Sequence, residues 1–444
     1  MQAGNAATTA LRCARGMGRD ATMRILMTMF GWAETGGGTI FPRQIAQDLV
    51  QRGHDVFVVS AALQPLPLGK AYATRDFAEG GVRVRAIHNR PTAFLDAAAP
   101  VREVHDAAPI ALVDAAVREF RPDVVHFHNF LGLSAGITGP VAAAGIPSCA
   151  SLHNFWAVCP TLYLQLPGLT VCAGVDAAGA NCLQCTHAEV PGSQYVARRD
   201  RIREALVRDI RFALPASSAV RDTLLQSGYP AAWLRLLPLG NARAERIRRE
   251  LGKGRRPGVR SPLRFGFLGS VLPIKGVHLL VGAAQALRGA FEVHVYGDGP
   301  TEYLDALRQI DRKQLVRFHG GFDGDSLAAV IAGIDVGVVP SVCIDHSPLV
   351  IGEMQAGGVP VLGARIGGIP DYVQPDAGAL FAANDMAALA IAMQRLLDAP
   401  DQVVAWQQRL RPPASWAGYI DALVAIYHEL QGRGRVGGRP GSTP

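Results

Sequence analysis

The stretch "IDHSPLVIGEMQAGGVPVLG", residues 344–363, decides the fold. Ser347 followed by Pro348 reads as an N-cap and a first helical residue. The helix then runs through Leu349, Val350, Ile351 and Glu353 and stops at Gly357-Gly358. A short apolar strand, "VPVLG", follows at once. The first amides of this helix, near Leu349 and Val350, are unpaired within it, and with the dipole they make its start an anion site. Asp345 stands just ahead of that start and Glu353 just over a turn beyond it. A buried acid costs free energy unless something binds it. A nucleoside diphosphate sugar fits this arrangement, with phosphates on the amides and hydroxyls at each carboxylate. Capping alone accounts for Ser347 but not for a carboxylate among apolar neighbours.

Working outward, the same strand-then-helix rhythm fills the chain. "MRILMTMF" (23–30) ends in the turn "AETGGGT", an amphipathic helix "IFPRQIAQDLVQRGH" follows, and "DVFVVSA" is a second strand. Further strand-like runs are "RPDVVHFHN" (121–129), "IPSCASLHN" (146–154), "DIRFALPAS" (209–217) and "WLRLLPLGN" (233–241). The rhythm breaks in "ARAERIRRELGKGRRPGVRSP" (242–262), dense in Arg, Lys, Gly and Pro. It restarts with "LRFGFLGSV" (263–271) and continues through "FEVHVYGDG", "VRFHGGF", "DVGVVPS" and "VPVLGAR". The reading is α/β: two Rossmann-like, doubly wound parallel-sheet domains facing across a cleft where ligands gather. The expected boundaries are a disordered leader 1–22, a first domain 23–245, a basic linker 246–262, a second domain 263–410, a crossover helix 411–431 and a disordered tail 432–444.

Composition agrees. At 444 residues two domains are the default, and 49% hydrophobic with 18% charged residues is globular. A net charge of +7 is too small to demand nucleic acid, but it suits a phosphorylated substrate or a weak hold on an anionic membrane surface. Val124 to Val175 contains no Asp, Glu, Lys or Arg. Pro140, Pro147 and several glycines break it into pieces too short for a membrane span, so it reads as the interior of an α/β domain. Seven cysteines, and an N-terminal stretch without an apolar core, place the chain in a reducing compartment, expected to be cytoplasmic.

The stretch "DHSPLVIGEMQAGGVPVLGARIGGIPDYV" resembles the signature of retaining family-4 (group 1) glycosyltransferases of the GT-B fold, whose two acids stand eight positions apart. The family usually has Glu at both places; here they are Asp345 and Glu353. The resemblance implies that Glu353 binds ribose hydroxyls and Asp345 the donor sugar. "FLGSVLPIKG" (267–276) matches the family segment in which Lys275 neutralises the diphosphate without a metal; many relatives carry Arg where this chain has Ser270. By the same likeness Gly36, Gly37 and Gly38 lie against the diphosphate and acceptor. His153 of "SLHNFW" stands near the donor sugar, followed by Asn154 where relatives have Asp. The implied activity is hexosyl transfer with retention, from a UDP- or GDP-type donor to a saccharide or lipid-linked hydroxyl acceptor, as in polysaccharide or glycolipid synthesis. The alternative is a catalytically idle nucleotide-binding subunit of a glycosyltransferase complex. A Rossmann oxidoreductase is disfavoured, since neither half shows Gly-x-Gly-x-x-Gly after its first strand.

Four motifs carry separate readings. "HFH" (126–128) puts two imidazoles on one face of a strand, read as a packed or acceptor-facing pair. "FDGDS" (322–326) is read as a helix start with Asp325 or Ser326 as N-cap. Cys159, Cys172, Cys182 and Cys185 fall in one loop-like stretch, compatible with a tetrahedral structural zinc, as relatives of this pattern show a similar cluster, or with free thiols. The Arg-rich helix "YVARRDRIREALVRDIRF" (195–212) is read as a solvated face rather than a membrane contact, though the family often works at the inner leaflet.

Overall fold

A computed structural model describes residues 22–34, 36–91, 96, 98–186, 189–251 and 257–434. Nearly all of the leader and residues 435–444 of the tail lie outside the described residues. Two mainly parallel sheets build two lobes. The first contains β1 (Arg24–Met29), β2 (Asp55–Ala61), β3 (Thr74–Glu79), β4 (Val82–Ile87), β5 (Val124–Phe127), β6 (Ser148–Ala150) and β9 (Phe212–Ala213), in the order β3-β4-β2-β1-β5-β6-β9. Between β6 and β9, β7 (Gln165–Leu166) and β8 (Thr170–Val171) form a separate hairpin. The second sheet contains β10 (Leu263–Leu268), β11 (Phe291–Tyr296), β12 (Val316–Gly320), β13 (Val336–Val339), β14 (Val361–Ala364) and β15 (Gly378–Phe381), in the order β12-β11-β10-β13-β14-β15. Strand order reverses beside β1 in the first sheet and beside β10 in the second. Those are the switch points at whose carboxyl ends an open α/β sheet binds ligands. The central strands are buried on both faces, as in Ile25 to Met29, because helices cover the sheet on each side.

Several elements differ from the sequence reading. "WLRLLPLGN" forms no strand: a 3-10 turn at Ala231–Trp233 leads to a single parallel bridge, Ala213 to Leu234, and Pro238 limits any ladder beyond it. The β3–β4 hairpin was not anticipated. It turns at Gly80 and Gly81, both with positive φ (58° and 81°), and Glu79 pairs with Val82, so the turn needs both glycines. The first half of the basic stretch is a helix, Ala242–Leu251, with Ala244 and Ile247 buried. Ile247 joins the core of the second lobe, so the helix packs there.

The crossover helix runs Trp416–Gly434, later at both ends than expected. Trp416, Tyr419, Ile420, Leu423 and Tyr427 join Met27, Ile45 and Cys149 in the core of the first lobe. Trp416 Nε1 donates to Asp48 at 2.9 Å, Arg235 forms a two-pronged pair with Glu429 at 2.7 and 2.9 Å, and Arg52 pairs with Asp421. On the Arg-rich helix Ser193–Asp209, Arg198 is buried against Glu103 and the Trp156 carbonyl, while Arg199, Arg203 and Arg208 pair with neighbouring Asp200 or Asp209. Among the described residues no helix is long and apolar enough to cross a membrane.

Candidate active site in the interlobe cleft

The loops after β1, β6, β10 and β13 converge on a cleft cavity of about 470 Å³. Its walls include Gly36, Gly37, Gly38, His153, Ser270, Lys275, Asp345, Ser347, Leu349 and Val350, so residues from both lobes meet there. This size falls within the range of small-molecule sites. Glu353 does not line the cavity. It lies on the helix Leu349–Ala356, on the face shared with Leu349 and Val350, one turn deeper.

The helix itself begins at Leu349 with Pro348 in the capping position and no side-chain cap. Ser347 is therefore not the N-cap. Its hydroxyl donates instead to Tyr372 Oη at 2.6 Å, and Tyr372 Oη donates to the Ala216 carbonyl of the first lobe at 3.1 Å. No side chain caps this start, and Leu349 and Val350, whose amides have no partner within the helix, line the cleft. At the "FDGDS" turn Ser326 does take the N-cap position, though its hydroxyl caps no amide, and Asp323 Oδ1 accepts from the Ser326 amide at 2.7 Å.

Lys275 and Asp345 form a pair across this start. Lys275 Nζ donates to Asp345 Oδ1 at 2.7 Å, and Ser341 Oγ donates to Oδ2 at 2.8 Å. Burial raises the Asp345 carboxyl, but Lys275 and Ser341 outweigh it and hold the group below the usual carboxylate range. Burial likewise lowers Lys275, and Asp345 more than reverses that. Two glycines shape the pair's supports. Gly276 has φ 69°, and a Cβ there would meet the Pro340 carbonyl at 1.9 Å. Gly367 has φ 56°, and its Cβ would meet the Asp345 backbone at 2.6 Å. Gly276→Ala is expected to destabilise the fold by about 2 kcal/mol or more, from left-handed strain plus a backbone clash. Urea unfolding measures it, and a cost below about 0.5 kcal/mol would contradict the tight approach.

Glu353 is 6% exposed, and its nearest cation, Arg243 Nη1, is 4.0 Å away. Burial pushes its carboxyl up, and Arg243 offsets this only in part. Of the three glycines, only Gly36 needs its freedom, at φ 108°. A Cβ at Gly36 or Gly37 would meet nothing within 4 Å, and one at Gly38 would reach His153 Cβ at 3.9 Å, so this loop leaves room above it. His153 Nε2 is 3.0 Å from His128 Nδ1, and burial lowers its ring to about 4. Asn154 does not act on it: Asn154 Oδ1 accepts from the Trp156 amide at 2.9 Å and closes the local turn. Sequence reasoning passed over His346, which lines the cavity and packs against Phe155 of the other lobe, with ring centroids 3.9 Å apart and the planes tilted by 41°. Burial drives its ring down to about 3. Its place beside Asp345 was the available signal.

The four cysteines do come together, around a small cavity of about 10 Å³ beneath the β7–β8 hairpin. Each sulfur but that of Cys182 has its own polar contact: Cys159 with Thr161 Oγ1 at 3.3 Å, Cys172 with Gly174 and Asn181 at 3.4 Å, Cys185 with the Gln165 carbonyl at 3.4 Å. Burial raises the Cys182 thiol to about 12. Among the described residues no group of three or more His, Cys, Asp or Glu side chains is placed to hold a metal.

Residues 36–240 match the glycosyl transferase 4-like domain, and residues 262–399 match the glycosyl transferases group 1 model. The chain is 27% identical over 245 residues to the MMP alpha-(1->4)-mannosyltransferase of Mycolicibacterium hassiacum, covering 52% of this chain and 57% of that protein. It thus spans little more than half the length of that relative. It is 26% identical to the GDP-mannose-dependent alpha-mannosyltransferase of Mycobacterium tuberculosis over 88% of this chain and 92% of that one. The crystal structure of Anabaena HepE in complex with UDP superposes with a TM-score of 0.59 at 15% identity, covering 93% of this chain and 98% of that chain. Two sheets opposed across a cleft, with one family domain matched to each lobe, make the conclusion plain: this chain belongs to the group 1, 4-like glycosyltransferases and has the GT-B fold.

Proposed function

We propose that the protein transfers a hexosyl group from a nucleoside diphosphate sugar to a hydroxyl of a saccharide or lipid-linked acceptor, with retention at the anomeric carbon and without a metal. The observation that carries this reading is the meeting of Lys275, Asp345 and the uncapped helix start in one cleft. The diphosphate occupies the Leu349 and Val350 amides and takes Lys275 as its counter-ion. Asp345, released from Lys275, turns to a hydroxyl of the donor sugar, and Glu353 holds the ribose. UDP in the Anabaena neighbour and GDP-mannose in the mycobacterial relative support a nucleotide donor of one of these two kinds.

In the reaction the acceptor oxygen bonds to the anomeric carbon as the bond from that carbon to the diphosphate oxygen breaks. The acceptor proton passes to the departing phosphate. Lys275 and the helix amides stabilise the charge that grows on the leaving diphosphate, which is electrostatic catalysis. Closure of the lobes excludes water and aligns the two substrates. Activity is expected to survive EDTA without loss, since Lys275 stands where a divalent ion would otherwise act. A loss restored by magnesium or manganese would overturn the metal-free step.

A panel of UDP- and GDP-sugars, followed by release of the nucleoside diphosphate and NMR of the product's anomeric centre, tests the whole proposal. Inversion would refute the retaining mode. Tight nucleotide binding with no turnover for any donor would instead favour the idle subunit, a reading that the ready-made Lys275–Asp345 pair also supports.

A further inference from the structure

Three imidazoles run from the closing helix to the cleft. His126 lies on β5 and His128 follows one residue past its end, and the two rings come together on the same side of the chain. His126 Nδ1 is 2.7 Å from Tyr427 Oη, its Nε2 is 3.0 Å from Ser151 Oγ, and its ring lies 3.8 Å from that of His128. His128 and His153 are nearly coplanar, at 5°, and joined through His128 Nδ1 and His153 Nε2 at 3.0 Å. Burial lowers all three, with the neighbouring rings adding to it at His126 and His128, so near pH 7 each ring is neutral and carries one proton.

The unpartnered atom decides where those protons are. Among the described residues His128 Nε2 is enclosed and meets no hydrogen-bond partner. Orphaned buried N–H groups are rarer than under-satisfied acceptors, so the bare nitrogen belongs at Nε2. The His128 proton then sits on Nδ1 and is donated to His153 Nε2. His153 must keep its own proton on Nδ1, and its ring lines the cleft. We propose that His128 is a positioning residue that locks His153 in the Nδ1–H tautomer, so that His153 offers the donor sugar a neutral hydrogen-bond donor and cannot serve as the base. The role given to the sugar rests on the transferase reading above; the tautomer does not. It agrees with a mechanism in which the leaving phosphate takes the acceptor proton.

Two measurements test it. Long-range 1H–15N correlation on histidine-labelled wild-type protein reads each tautomer directly. Nδ1–H on both His128 and His153 is expected, and Nε2–H on His153 overturns the lock whether or not a donor has been found. In kinetics, His128→Leu removes the donor and His128→Asn keeps an N–H near the Nδ1 position. The leucine variant is expected to lose roughly ten- to a hundredfold in kcat with KM for the donor little changed, and asparagine to recover most of it. Equal losses in both variants, or losses that follow their urea stabilities, would make His128 a packing residue and end the proposal. Correct tautomers with no turnover on any donor would count against the transferase reading and leave the lock standing.

Discussion

Lys275→Ala is expected to lower kcat by about 10²- to 10³-fold while the donor still binds, because the missing charge acts most strongly on the diphosphate as it departs. In the ligand-free protein the same change strands Asp345, whose carboxylate then keeps only Ser341 as a side-chain donor. The variant is therefore expected to melt earlier as well as turn over more slowly. Lys275→Ala combined with Asp345→Asn separates the two effects. The double variant regains much of the lost stability, since neither partner is left alone, but regains no kcat. If the double variant recovered activity, the pair would be a structural latch and the electrostatic role of Lys275 would fail. Single-turnover measurement with saturating donor is the decisive assay, as it removes any change in binding.

Glu353→Gln is the second large effect, and it moves two quantities in opposite directions. Charge-assisted hydrogen bonds to a ribose are worth about 1.5–3 kcal/mol each, so losing the carboxylate should weaken nucleotide binding by roughly 10²-fold. The free protein should become more stable. The folded-state pKa of Glu353 lies above its unfolded value, because burial is only partly offset by Arg243. The native state therefore holds the proton more tightly than the unfolded chain. Stability falls as pH rises from the ordinary Glu range through that raised value, and the deficit persists at neutral pH. Glutamine removes the deficit, so its advantage should be present at pH 7 and vanish at low pH, where both side chains are neutral. Binding follows the same group: wild-type affinity for the nucleoside diphosphate should drop as pH falls through the raised pKa, and the variant should lack that dependence. Calorimetry at several pH values checks it. An unchanged affinity in Glu353→Gln would remove Glu353 from the ribose site.

How much of this was legible beforehand follows from what sequence encodes locally. The buried strands announced themselves as apolar runs, since a parallel sheet covered on both faces selects for them. β3 did not, because it is an edge strand with an exposed face, Thr74 to Glu79, that carries charge rather than hydrophobic pattern. "WLRLLPLGN" looked like a strand for the opposite reason: it is apolar and extended, but its pairing stops after one bridge at Leu234 and two further backbone hydrogen bonds, from the Arg235 and Leu237 amides. Asp345, Glu353 and the helix start could be located from their spacing. The partnership of Lys275 with Asp345, 70 residues apart, could not. Nor could the contact of His126 with Tyr427, 301 residues on, or the diversion of Ser347 to Tyr372. Side chains that choose among several nearby partners do so only once each lobe has folded.

The helix Trp416–Gly434 has a topological consequence. It returns to the lobe where β1 lies, so the second lobe is an insertion between Asn241 and Trp416. The two connecting segments run side by side, with the Trp416 amide donating to Glu245 Oε1 at 2.6 Å. A body held at two adjacent points can swing about the line joining them but can neither slide nor rotate freely. A swing about that line would have to part Tyr372 from the Ala216 carbonyl and Ser218 from Asp371, so these contacts set the cost of opening for substrate capture and product escape.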